Sequence, residues 1–197
     1  MKKEKSLFIF ILFLYIILPI IICTSANLFR YKFLILTVIG VVVYIIFRTM
    51  SVSNEDLGIT KKGVFNSIKN NMPIIIIAVL LAILIYVIGF TRFYPTETIW
   101  FYLFYIFVSC PFQEFLYRGV FGYFDKVLIK NSFLTTLLSS FCFSFVHIIY
   151  KDALTLLLTF IMGLIWYNIY NKDKNLLGVS LSHIIIGILS IMLGIVD

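Results

Sequence analysis

Charged residues are scarce in this chain. Asp, Glu, Lys and Arg together make up 13% of its 197 residues, whereas hydrophobic residues make up 62%. A soluble globular domain has about 25% charged and about 45–50% apolar residues. Together with a mean hydropathy of +1.09, this composition excludes a soluble globular domain and indicates an integral membrane protein.

Cysteine and histidine are also rare, with three and two residues respectively. Cys23, Cys110 and Cys142 lie in or beside apolar stretches at no metal-ligand spacing, so we interpret them as small core residues. The sequence contains no His-Glu-x-x-His zinc motif. We therefore expect no cofactor, although two His and one Glu from three helices would be candidate ligands for a divalent metal such as zinc.

The net charge of +7 raises the question of nucleic-acid binding. The basic residues, however, lie in short loops between apolar runs and do not cluster with aromatic residues on a soluble face. We interpret them as signals of membrane topology. We expect the lipid bilayer as a partner and no binding of nucleic acid.

Long apolar runs recur along the whole chain. A helix needs about 20 apolar residues to cross about 30 Å of hydrocarbon. No alternating pattern of barrel strands is present, and helices satisfy their backbone groups internally. The sequence therefore predicts an all-α, polytopic transmembrane helix bundle with about seven spans. The runs lie at 7–23, 33–47, 73–90, 99–124, 132–150, 153–170 and 176–196.

The first run has an alternative interpretation. It follows three lysines and precedes Thr-Ser-Ala, an arrangement that resembles a signal peptide. Its length of 17 residues and the further apolar runs behind it favour an uncleaved first span.

Two places interrupt the pattern of spans. The segment 48–72 is the longest polar stretch, and its apolar residues predict a partly amphipathic helix at the membrane interface, with a solvated loop as the alternative. Pro73 is expected to open the third span. Pro111 is expected to kink the fourth span or to start a second helix.

The distribution of basic residues predicts the orientation. With the N-terminus in the cytoplasm, eleven of the sixteen Lys and Arg residues lie on the cytoplasmic side, four lie outside, and Arg118 lies inside the bundle. This bias follows the positive-inside rule. We therefore expect a multi-pass protein of the cell membrane with a cytoplasmic N-terminus. The outside residues are Arg30, Lys32, Arg92 and Lys151.

One acidic and one basic residue interrupt the aromatic-rich run at 99–124. A charged side chain at bilayer depth costs about 2.5–3.5 kcal/mol on insertion scales, so such residues usually face a bundle interior. Glu114 and Arg118 are four residues apart, which places them on one helix face with the acid first. They form either a purely structural ion pair or part of a functional site.

Both histidines lie in later apolar runs. His147 follows Phe143 by four residues, and His183 precedes Ile-Ile-Ile-Gly187. Three helices that each carry ionisable residues are enough to build one site. Gln113, next to Glu114, points about 100° away from it around a helix, so both side chains face one point only if the helix is distorted.

The order Glu114-x-x-x-Arg118, then Phe143-x-x-x-His147, then His183 resembles the CAAX-protease and bacteriocin-processing (CPBP) intramembrane endopeptidases, relatives of the type II CAAX prenyl endopeptidases. The resemblance covers roughly residues 99–196. It implies N-terminal membrane spans with an interfacial segment at 1–98 and a peptidase domain at 99–197, which contains a four-helix-like catalytic core.

The resemblance also implies roles for these residues. His147 would take part in water activation, and His183 would donate to the oxyanion or hold a second water. Glu114 would act as the base, or it would orient Arg118 and the site. Two positions depart from the family pattern: Gln113 stands where a first glutamate is usual, and Gly187 stands where an asparagine is frequent.

Three functions fit these observations. The first is an intramembrane endopeptidase, of glutamic or metallo type, that uses a Glu/His-activated water to cleave a small membrane-associated peptide or protein terminus. The second is a catalytically weakened or inactive member that acts in bacteriocin immunity or peptide binding, which Gln113 and Gly187 favour. The third is a proton-coupled transporter, for which helical-repeat symmetry is missing. Cys110 and Ser144 lack a nucleophile motif.

Overall fold

The computed structural model describes residues 2–196, and within this part of the chain all regular structure is helical. Six helices are long and apolar enough to cross a membrane, and a shorter apolar helix follows them. These findings confirm the predicted all-α, polytopic bundle. The helices are α1 Lys2–Cys23, α2 Ala26–Arg30, α3 Lys32–Thr49, α4 Val64–Ile88, α5 Ile99–Ile129, α6 Ser132–Phe145, α7 Ala153–Asp173 and α8 Leu176–Met192.

Helix α5 contains three π-helical segments, at Tyr105–Ser109, Phe115–Gly119 and Asp125–Ile129. Pro111 does not start a separate helix, because the helix continues through it; the predicted kink stays a prediction. A proline lacks the backbone N–H that an α-helix needs. The π-helical turn at Tyr105–Ser109 lies just before Pro111, so the helix accommodates the proline by local widening. Such π segments are frequent at functional sites.

Two hydroxyl groups bond backbone carbonyls of the middle π segment. Tyr15 Oη of α1 donates to Leu116 O at 3.0 Å, and Ser139 Oγ of α6 donates to Tyr117 O. A buried carbonyl without a partner is costly, especially in a membrane. The irregular stretch of α5 is therefore stabilised from both sides by neighbouring helices.

The predicted amphipathic helix at 48–72 is wrong for the residues before Val64, whereas 64–72 are helical as the first part of α4. Helix α3 ends at Thr49, a single 3₁₀ turn occupies Glu55–Leu57, and α4 begins at Val64 and includes Pro73 in its interior. Gly58, with a φ of +76°, ends the 3₁₀ turn, and Gly63, with a φ of +72°, directly precedes α4. Asn175, at the start of α8, donates to the carbonyl oxygens of Thr60 and Lys62, each at 2.8 Å.

The helices pack in two pairs around α5. Helix α4 packs along α8, and α6 packs along α7. Polar contacts then define the two ends of the bundle. Lys126 pairs with Asp56 at one end, and Arg92 pairs with Asp152 at the other end, each at 2.7 Å. This grouping of loops agrees with the two sides that the basic residues predicted.

Candidate active site

Glu114 and Arg118 form an ion pair in the middle of α5. Arg118 Nε lies 3.1 Å from Glu114 Oε2, and both side chains are fully buried. The donor angle does not suit a hydrogen bond, so the contact is an electrostatic pairing. The Arg118 guanidinium also lies over the rings of Phe143, at 4.2 Å, and Trp166, at 5.4 Å. These cation–π contacts add to its stabilisation.

The other carboxylate oxygen of Glu114 binds the second histidine. His183 Nδ1 lies 2.7 Å from Glu114 Oε1, and both residues are buried. A carboxylate only accepts hydrogen bonds when ionised, so Nδ1 is the donor. Trp166 stacks on the imidazole with ring centroids 4.6 Å apart, and Trp166 Nε1 donates to Ser182 Oγ at 2.9 Å. The orientation of His183 is therefore fixed by a hydrogen bond and a stacked ring.

His147 lies in the 3₁₀ helix Val146–Tyr150 that follows α6. Its Nδ1 lies 2.7 Å from Phe143 O. A carbonyl oxygen can only accept, so Nδ1 carries the hydrogen, and Nε2 of the neutral ring has a free lone pair. The Phe143-x-x-x-His147 spacing thus sets the tautomer of His147, with Nε2 as the basic atom.

Gln113 faces different surroundings from Glu114. Its Nε2 donates to Ser109 Oγ at 2.9 Å, and its Oε1 has no hydrogen-bond partner among the described residues. Gln113 lines two cavities, whereas Glu114 lines neither. This divergence is what a separation of about 100° on a helix produces.

The larger cavity has a volume of about 320 Å³ and lies between α4, α5, α7 and α8. Gln113, His147 and His183 line it together with many apolar side chains. Ile77 and Leu81 of α4 also line it and are 52% and 53% exposed, so the cavity opens sideways toward lipid. A second cavity of about 80 Å³ lies against α1 and α3 and shares Gln113, Ser109 and His147 with the first.

The donor groups do not fit a metal site. Among residues 2–196, no group of three or more His, Cys, Asp or Glu converges on a common point. Glu114 and His183 bond to each other, and His147 Nδ1 bonds to a backbone carbonyl. The reaction described below therefore involves no metal ion. Nor is Ser144 arranged as a nucleophile, because its hydroxyl donates to Leu156 O at 2.7 Å.

The structure thus brings the five predicted residues together in two groups. Glu114, Arg118 and His183 form a buried network. Gln113 and His147 face both cavities, and His183 also lines the larger one. Three residues that the sequence did not single out join them: Tyr105, Ser109 and Trp166. Ser109 carries a weak signal, since it lies four residues before Gln113 on the same helix.

The fold and the site define a polytopic membrane protein with an ionisable centre inside its helix bundle. Residues 95–189 match the family model described as type II CAAX prenyl endopeptidase Rce1-like. This match, which covers slightly less than half of the chain, confirms its resemblance to the CAAX-protease family. At the family level, the match supports a CAAX-type intramembrane protease that acts on a peptide or protein, and the apolar helices imply the bilayer as its surroundings. No curated protein and no solved structure matches the chain.

Proposed function

We propose that this protein is an intramembrane endopeptidase in which His147, rather than Glu114, takes the proton from the attacking water. The observation that carries the proposal is the hydrogen bond from His147 Nδ1 to Phe143 O at 2.7 Å. It leaves Nε2 as an acceptor on a residue that lines both cavities. General bases in enzymes are most often imidazoles, because their ordinary pKa lies near neutral pH.

Gln113 holds the water against His147 in this mechanism. Its Oε1 lacks a partner in the described structure and accepts one water hydrogen after a small movement of the amide. The other water hydrogen points to His147 Nε2. The oxygen lone pair is then free to attack, so an amide can position the water although it cannot take its proton.

The reaction balances with these groups alone. The water oxygen bonds to the carbonyl carbon of the scissile peptide, its proton moves to His147 Nε2, and the carbonyl electrons move onto oxygen. The tetrahedral intermediate then collapses, the carbon–nitrogen bond breaks, and the proton on Nε2 passes to the departing nitrogen. The products are a carboxyl terminus and an amine.

Glu114 orients the site in this proposal. One of its oxygens pairs with Arg118 and the other binds His183. A carboxylate engaged on both sides and lining neither cavity has no free access to a water. It instead fixes the His183 ring at the cavity wall, in the way that carboxylates orient the histidines of other centres.

The substrate we propose is an apolar, membrane-associated peptide or protein terminus. The larger cavity is lined mainly by aliphatic and aromatic side chains and opens to lipid along α4. A ligand pocket of this kind binds apolar groups and uses a few polar atoms for orientation. The positive-inside pattern supports a cytoplasmic N-terminus in the cell membrane.

A second candidate function is peptide binding without cleavage, as in bacteriocin immunity. It is favoured by Gln113, whose amide occupies the cavity-facing position and cannot ionise. In this role the cavity would sequester a hydrophobic peptide, and the histidines would only help to bind it.

The test is mass spectrometry of protein termini in native membranes, with the wild type compared with an equally expressed His147→Ala variant. We expect new termini that vanish in the variant. Phe141→Leu, a change at a lipid-facing position of α6 that is 49% exposed, is the matched control and should retain them. An identical set of termini in all three, with the biological phenotype intact, would overturn the protease proposal in favour of the binding role.

A further inference from the structure

Tyr105 is a buried polar side chain of the larger cavity that the mechanism has not used. It lies at the start of the first π segment of α5 and is 9% exposed. Its ring meets the His183 imidazole edge-on, with centroids 6.0 Å apart. Tyr105 and His183 line the same cavity as Gln113 and His147.

The Tyr105 hydroxyl reaches the backbone of α8 at Gly187. A Cβ added to Gly187 would overlap the hydroxyl oxygen and would lie 2.8 Å from Tyr105 Cζ. Gly187 follows His183 by four residues and so lies on the same face of α8, one turn along. The glycine therefore makes room for a hydroxyl group at the cavity wall beside His183.

His183 itself is a poor donor to a developing oxyanion. Its Nδ1 donates to Glu114, so the neutral ring has a lone pair on Nε2. It can donate from Nε2 only when the ring is protonated, which would place a second positive charge beside the buried Arg118. A phenol O–H donates without any change of charge. The Cys110 thiol is a hydrogen-bond neighbour of the Tyr105 hydroxyl, and the hydroxyl exchanges this weak partner for the oxyanion.

We propose that Tyr105 is a catalytic residue that donates its hydroxyl hydrogen to the oxyanion of the tetrahedral intermediate. No bond to Tyr105 breaks, because the hydroxyl stabilises the negative oxygen through a hydrogen bond and keeps its proton. This inference rests on the proposed protease function. It also gives Gly187 a role, since any larger residue there would displace the donor.

The experiment uses Tyr105→Phe, which removes only the hydroxyl group, with Tyr102→Phe as the matched control. Tyr102 lies on the same helix but lines neither cavity. The probe is a synthetic peptide that spans the cleavage site mapped by the termini, added to protein reconstituted in lipid vesicles. Loss of one oxyanion donor lowers kcat by about 10²–10³-fold. We expect that loss for Tyr105→Phe with KM within about twofold, and wild-type rates for Tyr102→Phe.

A second variant tests the same role by restoring a hydrogen-bond donor, so that a gain in activity is measured and a loss caused by misfolding cannot be mistaken for support. In Tyr105→Ala combined with Gly187→Asn, the aromatic ring is gone and an amide N–H donor occupies its place. We expect the folded double variant to cleave at least about tenfold faster than Tyr105→Ala alone.

The outcomes separate the two proposals. Wild-type cleavage that is unchanged in Tyr105→Phe would overturn the role of Tyr105 and leave the protease function intact, as would a folded double variant without any gain. If no His147-dependent cleavage occurs in the wild type, the protease function itself fails and the Tyr105 role fails with it.

Discussion

His183 Nδ1 and Glu114 Oε1 lie 2.7 Å apart, and this contact joins α8 to the middle of α5. The same carboxylate holds Arg118 on its other oxygen. A single buried acid thus connects two helices and compensates one buried cation. Removing it changes both the stability of the bundle and the geometry of the cavity wall.

Glu114→Gln is expected to destabilise the protein. The variant leaves the fully buried Arg118 without its counter-charge, and breaking a buried ion pair from one side costs about 3–5 kcal/mol. Because both side chains are fully buried, we expect a lower melting temperature. Thermal unfolding in detergent measures this change.

Glu114→Gln combined with Arg118→Met is the control for that measurement. It removes both charges and fills the space with an apolar side chain, so most of the lost stability should return. Glu55→Gln, at an exposed pair with Lys62 separated by 3.9 Å, should change stability little. A Glu114→Gln variant as stable as the wild type would contradict the assignment of a buried pair.

Gln113→Glu is expected to increase cleavage. A carboxylate at this cavity-facing position would share the water with His147 and could accept its proton, and a general base contributes about 10²–10⁴-fold in rate. We expect a gain of at least about tenfold in the appearance of His147-dependent termini. Gln113→Leu, which removes the water-holding amide, should lower the rate, and equal rates for all three proteins would argue against a role for this position.

The ion pair between Arg92 and Asp152 predicts a dependence of stability on pH. Hydrogen bonds from Arg92, and then from Thr155, hold the pKa of the Asp152 carboxyl well below its ordinary value. A carboxyl with a depressed pKa in the folded state stabilises the fold above its unfolded pKa, and this contribution is lost as the pH falls through the folded value.

Asp152→Asn isolates this contribution. Asparagine still caps the first turn of α7, where Asp152 accepts from Thr155 N at 2.8 Å. We expect a lower melting temperature than the wild type at pH 7, and a difference that shrinks below about pH 4, the usual range of an unpaired aspartate. A difference independent of pH would contradict the ion-pair explanation.

Most of the spans could be predicted because hydrophobic length indicates which segments cross a membrane. Six of the seven predicted runs form helices long enough to span, and the run 176–196 forms the shorter apolar helix α8. The backbone conformation of residues 48–72 could not be predicted. The apolar residues among them suggested a surface helix, but Val64 begins α4, and the positive φ values of Gly58 and Gly63 make the preceding residues a folded loop. Apolar spacing carries no information about backbone conformation at glycine.

The site was predictable where charge was unusual. Glu114, Arg118 and the two histidines are conspicuous in apolar helices, and the structure brings Glu114, Arg118 and His183 into contact. Tyr105 was not predictable, because the chain has 12 tyrosines and 21 phenylalanines. In such a sequence, an aromatic residue of the site cannot be distinguished from one that faces lipid.

The pairing of Glu114 with Arg118 along one helix also bears on how the protein is made. Because both charges belong to α5 and lie four residues apart, they can neutralise each other while that helix enters the bilayer. His183 lies 69 residues beyond Glu114, so its hydrogen bond forms only after α8 has been synthesised and has docked. A nascent chain with its first spans inserted therefore carries a neutral but incomplete centre.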